Sequence, residues 1–263
     1  NSRIGIDTNC SLVRVANNYH NELIRGIHND YKKVNIFGIE GTSQVSTSTI
    51  GLEDYRYGAF STATGLYIFA PDTANDQAGG TGARSITIDY IDASGNEAVF
   101  NYTIPTVASG LTDTGVTCLG VNRIIVASTG SAGHNVGKVQ AVNSVQSVIF
   151  CSVSPTNNAS SSCVYTIPNS RSLIIREANI YGKFSDSNLL VYSLNRASGL
   201  RFLIGKFFID SGLTQIKYDL DALIDQGNVI LVDIEPLSPV STLTNQVINI
   251  NINGVLNPLI NNF

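Results

Sequence analysis

The sequence predicts an all-β protein: two antiparallel β-sandwich or jelly-roll units with a short N-terminal helix or extended arm. Three observations carry this expectation. Apolar residues alternate with polar ones in many short segments, turn chemistry separates those segments, and no regular alternation of helices and strands runs along the chain. The clearest instance is residues 79–105, GGTGARSITIDYIDASGNEAVFNYTIP. Ile86, Ile88 and Tyr90 alternate with polar neighbours, so one strand face can be buried while the other meets solvent. Asp92-Ala93-Ser94-Gly95-Asn96 then reverses the chain, because Gly95 tolerates positive φ and Asp92 and Asn96 can bond nearby backbone. Val99, Tyr102 and Ile104 supply the returning strand.

The other elements follow from the same grammar. Tyr19, Leu23, Ile27 and Tyr31 recur every fourth residue after Asn17 and Asn18, which suggests a short amphipathic helix, or alternatively an arm lying on another subunit. Strands are expected at 34–39, 65–70, 121–128, 136–142 and 146–153, with the Gly-rich loop 129–135 reversing the chain. In the second unit they are expected at 163–168, 173–184, 189–194, 200–208, 214–220, 228–234 and 246–252. Turn signals at 185–188 and 195–199 fall at the spacing of a sandwich or jelly roll. Residues 219–227 read as one helical turn, capped by Asp219 and stopped by Gly227. The division is an arm or helix over 1–33, a first β unit over 34–161, a second over 162–241, and a C-terminal strand and tail over 242–263. Tyr-Thr-Ile-Pro occurs at 102–105 and again at 165–168; the flanks do not match, so both read as strands ended by a proline that cannot donate to a ladder.

Composition narrows the function classes. Only 14% of the 263 residues are charged, against an average of about 25%. Neutral polar side chains must supply the solubility, and a surface this poor in charge suits burial against neighbours. A net charge of −4 and a pI of about 5.3 do not fit a protein that binds by neutralising phosphates, so no nucleic-acid partner is expected. The apolar runs near 145–153 and 229–234 are far shorter than the roughly 20 residues of a membrane-spanning helix.

No motif for reaction chemistry accompanies the strands. His20, His28 and His134 stand without a nucleophile elbow, and Gly79-Gly80-Thr81-Gly82 lacks the Lys-Ser/Thr ending of a phosphate loop. It reads as a strand entry. Asp72, Asp76, Asp89 and Asp92 do not have calcium-loop spacing, and Asp219, Asp221 and Asp225 belong to the expected helical turn. Cys10, Cys118, Cys151 and Cys163 lack metal-ligand spacing. Cys151 and Cys163 could face each other across a hairpin, but buried free thiols are the favoured reading. Asn9, Asn101 and Asn158 open N-glycosylation triplets. No catalytic, cofactor-binding or metal-binding residue is assigned.

The segment 79–88 (GGTGARSITI), the turn 92–97, Val121-Asn122-Arg123-Ile124 and residues 130–137 (GSAGHNVG) together resemble a group of virion-associated proteins of tailed phages and large DNA viruses. In that group a GTGAR strand-hairpin segment precedes a second β unit opening with Y-T-[IV]-P, the place taken here by residues 165–168. The resemblance touches most of 36–234. The sequence departs from it in having no tryptophan, with Tyr55 and Tyr57 standing near the Gly-rich stretch instead. The resemblance implies a non-enzymatic component of a virus particle, such as a minor capsid, cement or head-associated protein. Its implied partners are the major capsid protein, other virion proteins and copies of itself, and its implied location is the virion. The alternative from the residues is a glycan-binding or adhesive module, with Tyr55 and Tyr57 as stacking surfaces.

Overall fold

The computed structural model describes residues 31–40, 47–52, 57, 61–183, 186–209, 213–237 and 247–258. They form antiparallel sheets, with no helix among them. The expected helix over 17–33 lies almost wholly outside these residues, as do Asn9, Cys10, His20, His28 and Tyr55.

Among the described residues eight strands build the first body: β1 (Lys32–Glu40), β2 (Ser48–Thr49), β10 (Arg171–Lys183), β11 (Ser187–Leu194), β12 (Arg201–Ile209), β13 (Leu213–Ile224), β14 (Val229–Pro236) and β15 (Val247–Pro258). Their pairing is nested. β1 pairs with β15, β2 with β14, β10 with β13 and β11 with β12, so the first strand meets the last and the second meets the next to last. Further pairs, β10 with β15 and β11 with β14, join these into sheets ordered β1-β15-β10-β13 and β12-β11-β14-β2. A long hairpin rolled up in this way is the topology of a jelly roll.

Period-two burial explains why the roll closes as it does. Along β15, Ile248, Ile250, Ile252 and Leu256 face inward, while Asn249, Asn251 and Asn253 are only partly covered. A slip of one residue would drive three asparagines into the core, so the register is strongly specified. The inward residues meet Leu189, Val191, Ile230, Val232 and Ile234 of the opposite sheet in one aliphatic cluster. Each such side chain contributes on the order of 1.5–3 kcal/mol by leaving water.

Between β2 and β10 the chain leaves the roll and builds a second body. β3 (Thr64–Phe69), β4 (Ala83–Asp92), β5 (Glu97–Thr103), β6 (Leu111–Thr129), β7 (Val139–Val142) and β8 (Ile149–Val153) form one sheet ordered β5-β4-β6-β3-β7-β8. The sheet curls around its own core of Leu66, Ile68, Ile86, Ile88, Ile124, Val139, Phe150 and Val153. Residues after β8 close the curl onto β6. Val126 donates to Asn158 O at 2.8 Å, Ser160 N donates to Ile124 O at 2.8 Å, and Ile125 bridges Ala159. The short β9 (Val164–Thr166) then returns the chain to β14.

Three features depart from the sequence reading. Residues 219–224 are strand, not a helical turn, because β13 pairs with β10 along its whole length and this tertiary ladder overrides the local Asp-rich signal. Gly227 does end the segment, in a turn with φ +70°. Residues 111–120, unassigned from the sequence, open the 19-residue β6. Finally, Lys32–Glu40 and Ser48–Thr49 hydrogen-bond to β15 and β14, whereas the linear division at residue 162 groups them with the strands that follow them.

Candidate functional site

The Gly-rich entry to β4 is held by a carboxylate. Asp76 is 1% exposed; its Oδ1 accepts from Ala83 N at 2.7 Å and Val136 N at 3.0 Å, and its Oδ2 accepts from Gly137 N at 2.6 Å. A Cβ on Gly82 would stand 2.1 Å from that Oδ1, so the tight approach requires glycine there. Asn135, fully buried, ties the same knot to the next loop by donating to Gly137 O at 2.7 Å and Ser154 O at 2.9 Å. The segment that stands out most in the sequence is therefore a structural anchor, as its reading as a strand entry implied.

The remaining candidates separate in the same way. His134 Nδ1 lies 2.9 Å from Asn135 O, in the 130–137 loop. Asp72 accepts from Asn75, and Asp92 shapes its hairpin by accepting from Ser94 N at 2.8 Å and Asn96 N at 2.9 Å. The Asn96 amide leads in holding the Asp92 carboxyl below its ordinary range. Among the described residues no three His, Cys, Asp or Glu side chains gather to hold a metal ion. Cys118, Cys151 and Cys163 are buried free thiols. Asn101 accepts from Thr87 Oγ1 at 2.7 Å, and Asn158 is drawn into the loop knot by Asn135 and Gly133, so neither sequon side chain is idle. Tyr57 is 1% exposed and packs with Leu52 and Leu231, which removes it as a sugar-stacking surface.

What the structure builds instead is a junction between the two bodies. The tip of the β4–β5 hairpin rests on the roll, where Asn169 N donates to Gly95 O at 2.9 Å and Asn169 Nδ2 to Ser94 O at 3.1 Å. Asn122 of β6 pairs with the main chain of Thr166, accepting from its N–H at 2.7 Å and donating to its carbonyl at 3.1 Å. Lys32 Nζ lies 2.6 Å from Glu97 Oε1, an oxygen that also accepts from the Tyr165 hydroxyl at 3.4 Å. Burial and the Glu97 charge push the Tyr165 phenol up. None of these pairings shows in the sequence, because the partners lie 44 to 75 residues apart.

Beside this junction the edge of β1 faces an open groove of about 460 Å³, walled by Asn35 and Phe37 on one side and Asn122, Arg123, Asn157 and Ser160 on the other. It runs into a second hollow of about 390 Å³ that reaches Lys33, Asp89 and Glu97. Amides, hydroxyls and a few charges share its lining with apolar side chains such as Phe37, Ile39 and Val164.

No protein family and no curated protein matches the chain. Among solved structures, the infectious bursal disease virus Gx strain gives 8% identity and a TM-score of 0.26, covering 89% of this chain and 73% of that one. The VP2 subviral particle of the same virus gives 9% identity and a TM-score of 0.23, with 87% and 72% covered. The Gt strain gives 9% and 0.17, with 86% and 72% covered.

Proposed function

We propose that the chain is a non-enzymatic structural component of a virus particle, of the minor capsid, cement or head-associated kind, and that it works by binding capsid proteins and copies of itself. The observation that supports this most is the nested pairing of β1, β2 and β10–β15 into a jelly roll that carries a second β body in one connection. Jelly rolls recur in viral shells and also in lectins and cupins, so the topology alone does not choose. Two further features favour assembly. Aliphatic side chains from both sheets fill the interior of the roll, which leaves its outer faces, edges and the inserted body as the surfaces offered. Charged residues are scarce, which lowers the desolvation cost of covering those surfaces.

The test is to purify the particles, dismantle them stepwise and follow the chain by mass spectrometry. Release together with a shell layer, in fixed ratio to the major capsid protein, is expected. Recovery only in the soluble fraction of infected cells, with none in washed particles, would sink the reading.

A further inference from the structure

We propose that the groove-facing edge of β1 is a docking site for an extended peptide segment that carries an acidic side chain. In an antiparallel ladder, successive residues turn their N–H and C=O groups alternately toward the partner strand and away from it. Ile39 N donates to Ser161 O at 3.0 Å, away from β15, which fixes the parity of the strand. The main-chain groups of Lys33, Asn35 and Phe37 therefore point the same way, into the groove. They have no hydrogen-bond partner among the described residues. Lys33 to Phe37 spans about 13 Å of strand, room for a segment of four or five residues to add by main-chain pairing.

The side chains around that edge set the chemistry of the occupant. Phe37 is 42% exposed and offers an apolar surface to one face of an added strand. Of the cations lining the two hollows, Lys32 is neutralised by Glu97, whereas Lys33 and Arg123 have no anionic partner among the described residues. Asp89 is the one other carboxylate among the described lining residues, whose charges sum to a net positive on a chain of net charge −4. A strand bearing Asp or Glu opposite Arg123 complements it. An exposed edge of this kind invites strand addition unless something covers it.

The assignment rests on the assembly reading only for who supplies the strand; binding itself is measured on the purified chain, so its failure leaves the particle test untouched. The probes are two acetylated, amidated nonapeptides of alternating Thr and Val with a central Glu in one and Lys in the other. Binding of the Glu peptide about tenfold tighter than the Lys peptide is expected, with slowed hydrogen exchange at the Asn35 and Phe37 amides. Phe37→Pro should abolish binding and leave the far-UV circular dichroism unchanged, since that N–H makes no ladder bond. Arg123→Glu should reverse the charge preference while keeping the edge intact. Equal affinity for both peptides, no binding by either at about 1 mM, or undiminished binding to Phe37→Pro would overturn the proposal. So would a concentration-dependent dimer that Phe37→Pro dissociates while the peptides fail to compete, since the occupant would then be a second copy.

Discussion

Arg201, at the start of β12, holds its Nη1 2.5 Å from Oδ2 of Asp233, a side chain with no solvent exposure. The other carboxylate oxygen accepts from Thr49 Oγ1 at 2.7 Å, Thr49 Oγ1 accepts from Tyr57 N at 2.8 Å, and Arg201 donates in turn to the Tyr57 carbonyl. The guanidinium also lies 5.6 Å from the centre of the Tyr192 ring. One carboxylate thus ties β2 and residue 57 to the outer face of the sheet formed by β12, β11 and β14.

Asp233→Ala should therefore destabilise the protein by about 3–5 kcal/mol, the cost of stranding a partly buried cation and its hydrogen-bonded neighbours. Replacing both members, with Asp233→Leu and Arg201→Met, should recover a large part of that loss. Urea unfolding of these two variants and of the unchanged chain measures it. A double variant no more stable than Asp233→Ala would contradict the account.

Asp76→Ala leaves three backbone donors, at Ala83, Val136 and Gly137, without their acceptor. A loss of about 3 kcal/mol or more is expected, at roughly 1–3 kcal/mol per stranded buried donor. Hydrogen exchange should accelerate at those amides before it does in the roll. Uniform acceleration throughout would mean that the knot is not a local anchor.

Much of this was legible in the sequence, and the rest had a physical reason not to be. The strand at Ile86, Ile88 and Tyr90 declares itself because its alternation is local, and so does the Asp92–Gly95 turn. The start of β6 hides because Thr112, Thr114 and Thr117 carry little apolar contrast and Gly115, at φ +71°, breaks the rhythm. Nested pairing cannot be read locally at all, since Val34 and Gly254 are opposite each other across 220 positions. The Asp233 network and the β1 groove are hidden for the same reason, whereas the reading of the cysteines as buried thiols needed only their apolar strand context.

Those thiols should be inert in the native state. Burial pushes the Cys118 thiol up to about 12 and raises Cys151 and Cys163 as well, so at pH 8 almost no thiolate is present. An aromatic disulfide reagent should react with the three at the rate of unfolding, independent of reagent concentration. Fast, reagent-dependent labelling of any of them would contradict this.

Glu177 provides a pH signature. Lys217 Nζ lies 2.8 Å from its Oε2, and Asn253 and Asn179 donate to its Oε1, which together hold the carboxyl at about 2, Lys217 leading. Because the folded pKa is depressed, the stabilisation is fully present above the unfolded value of about 4.3 and fades as pH falls toward 2. The pair is solvated, so its worth is about 1 kcal/mol or less. Lys217→Ala should move the Glu177 titration, followed by carboxyl carbon NMR, back toward the ordinary range. An unmoved midpoint would assign the shift to the two asparagines.

Gly120 marks the seam between the bodies, where an added Cβ would stand 2.1 Å from Thr166 Oγ1. Gly120→Ala should loosen the Asn122–Thr166 pairing and expose the junction to limited proteolysis, at a cost of about 1–3 kcal/mol. Proteolytic resistance equal to that of the unchanged chain would show that the seam can yield.

The partnership of β1 with β15 has a mechanical consequence. Lys32 sits opposite Leu256, so tension applied at those two residues pulls on neighbouring ends of a single ladder. Such a geometry peels bonds one after another instead of loading them in shear, and it yields at small force. Attachments made through both flanks would act as a rip-line, and any strain the assembly must withstand is better carried across the faces of the sheets.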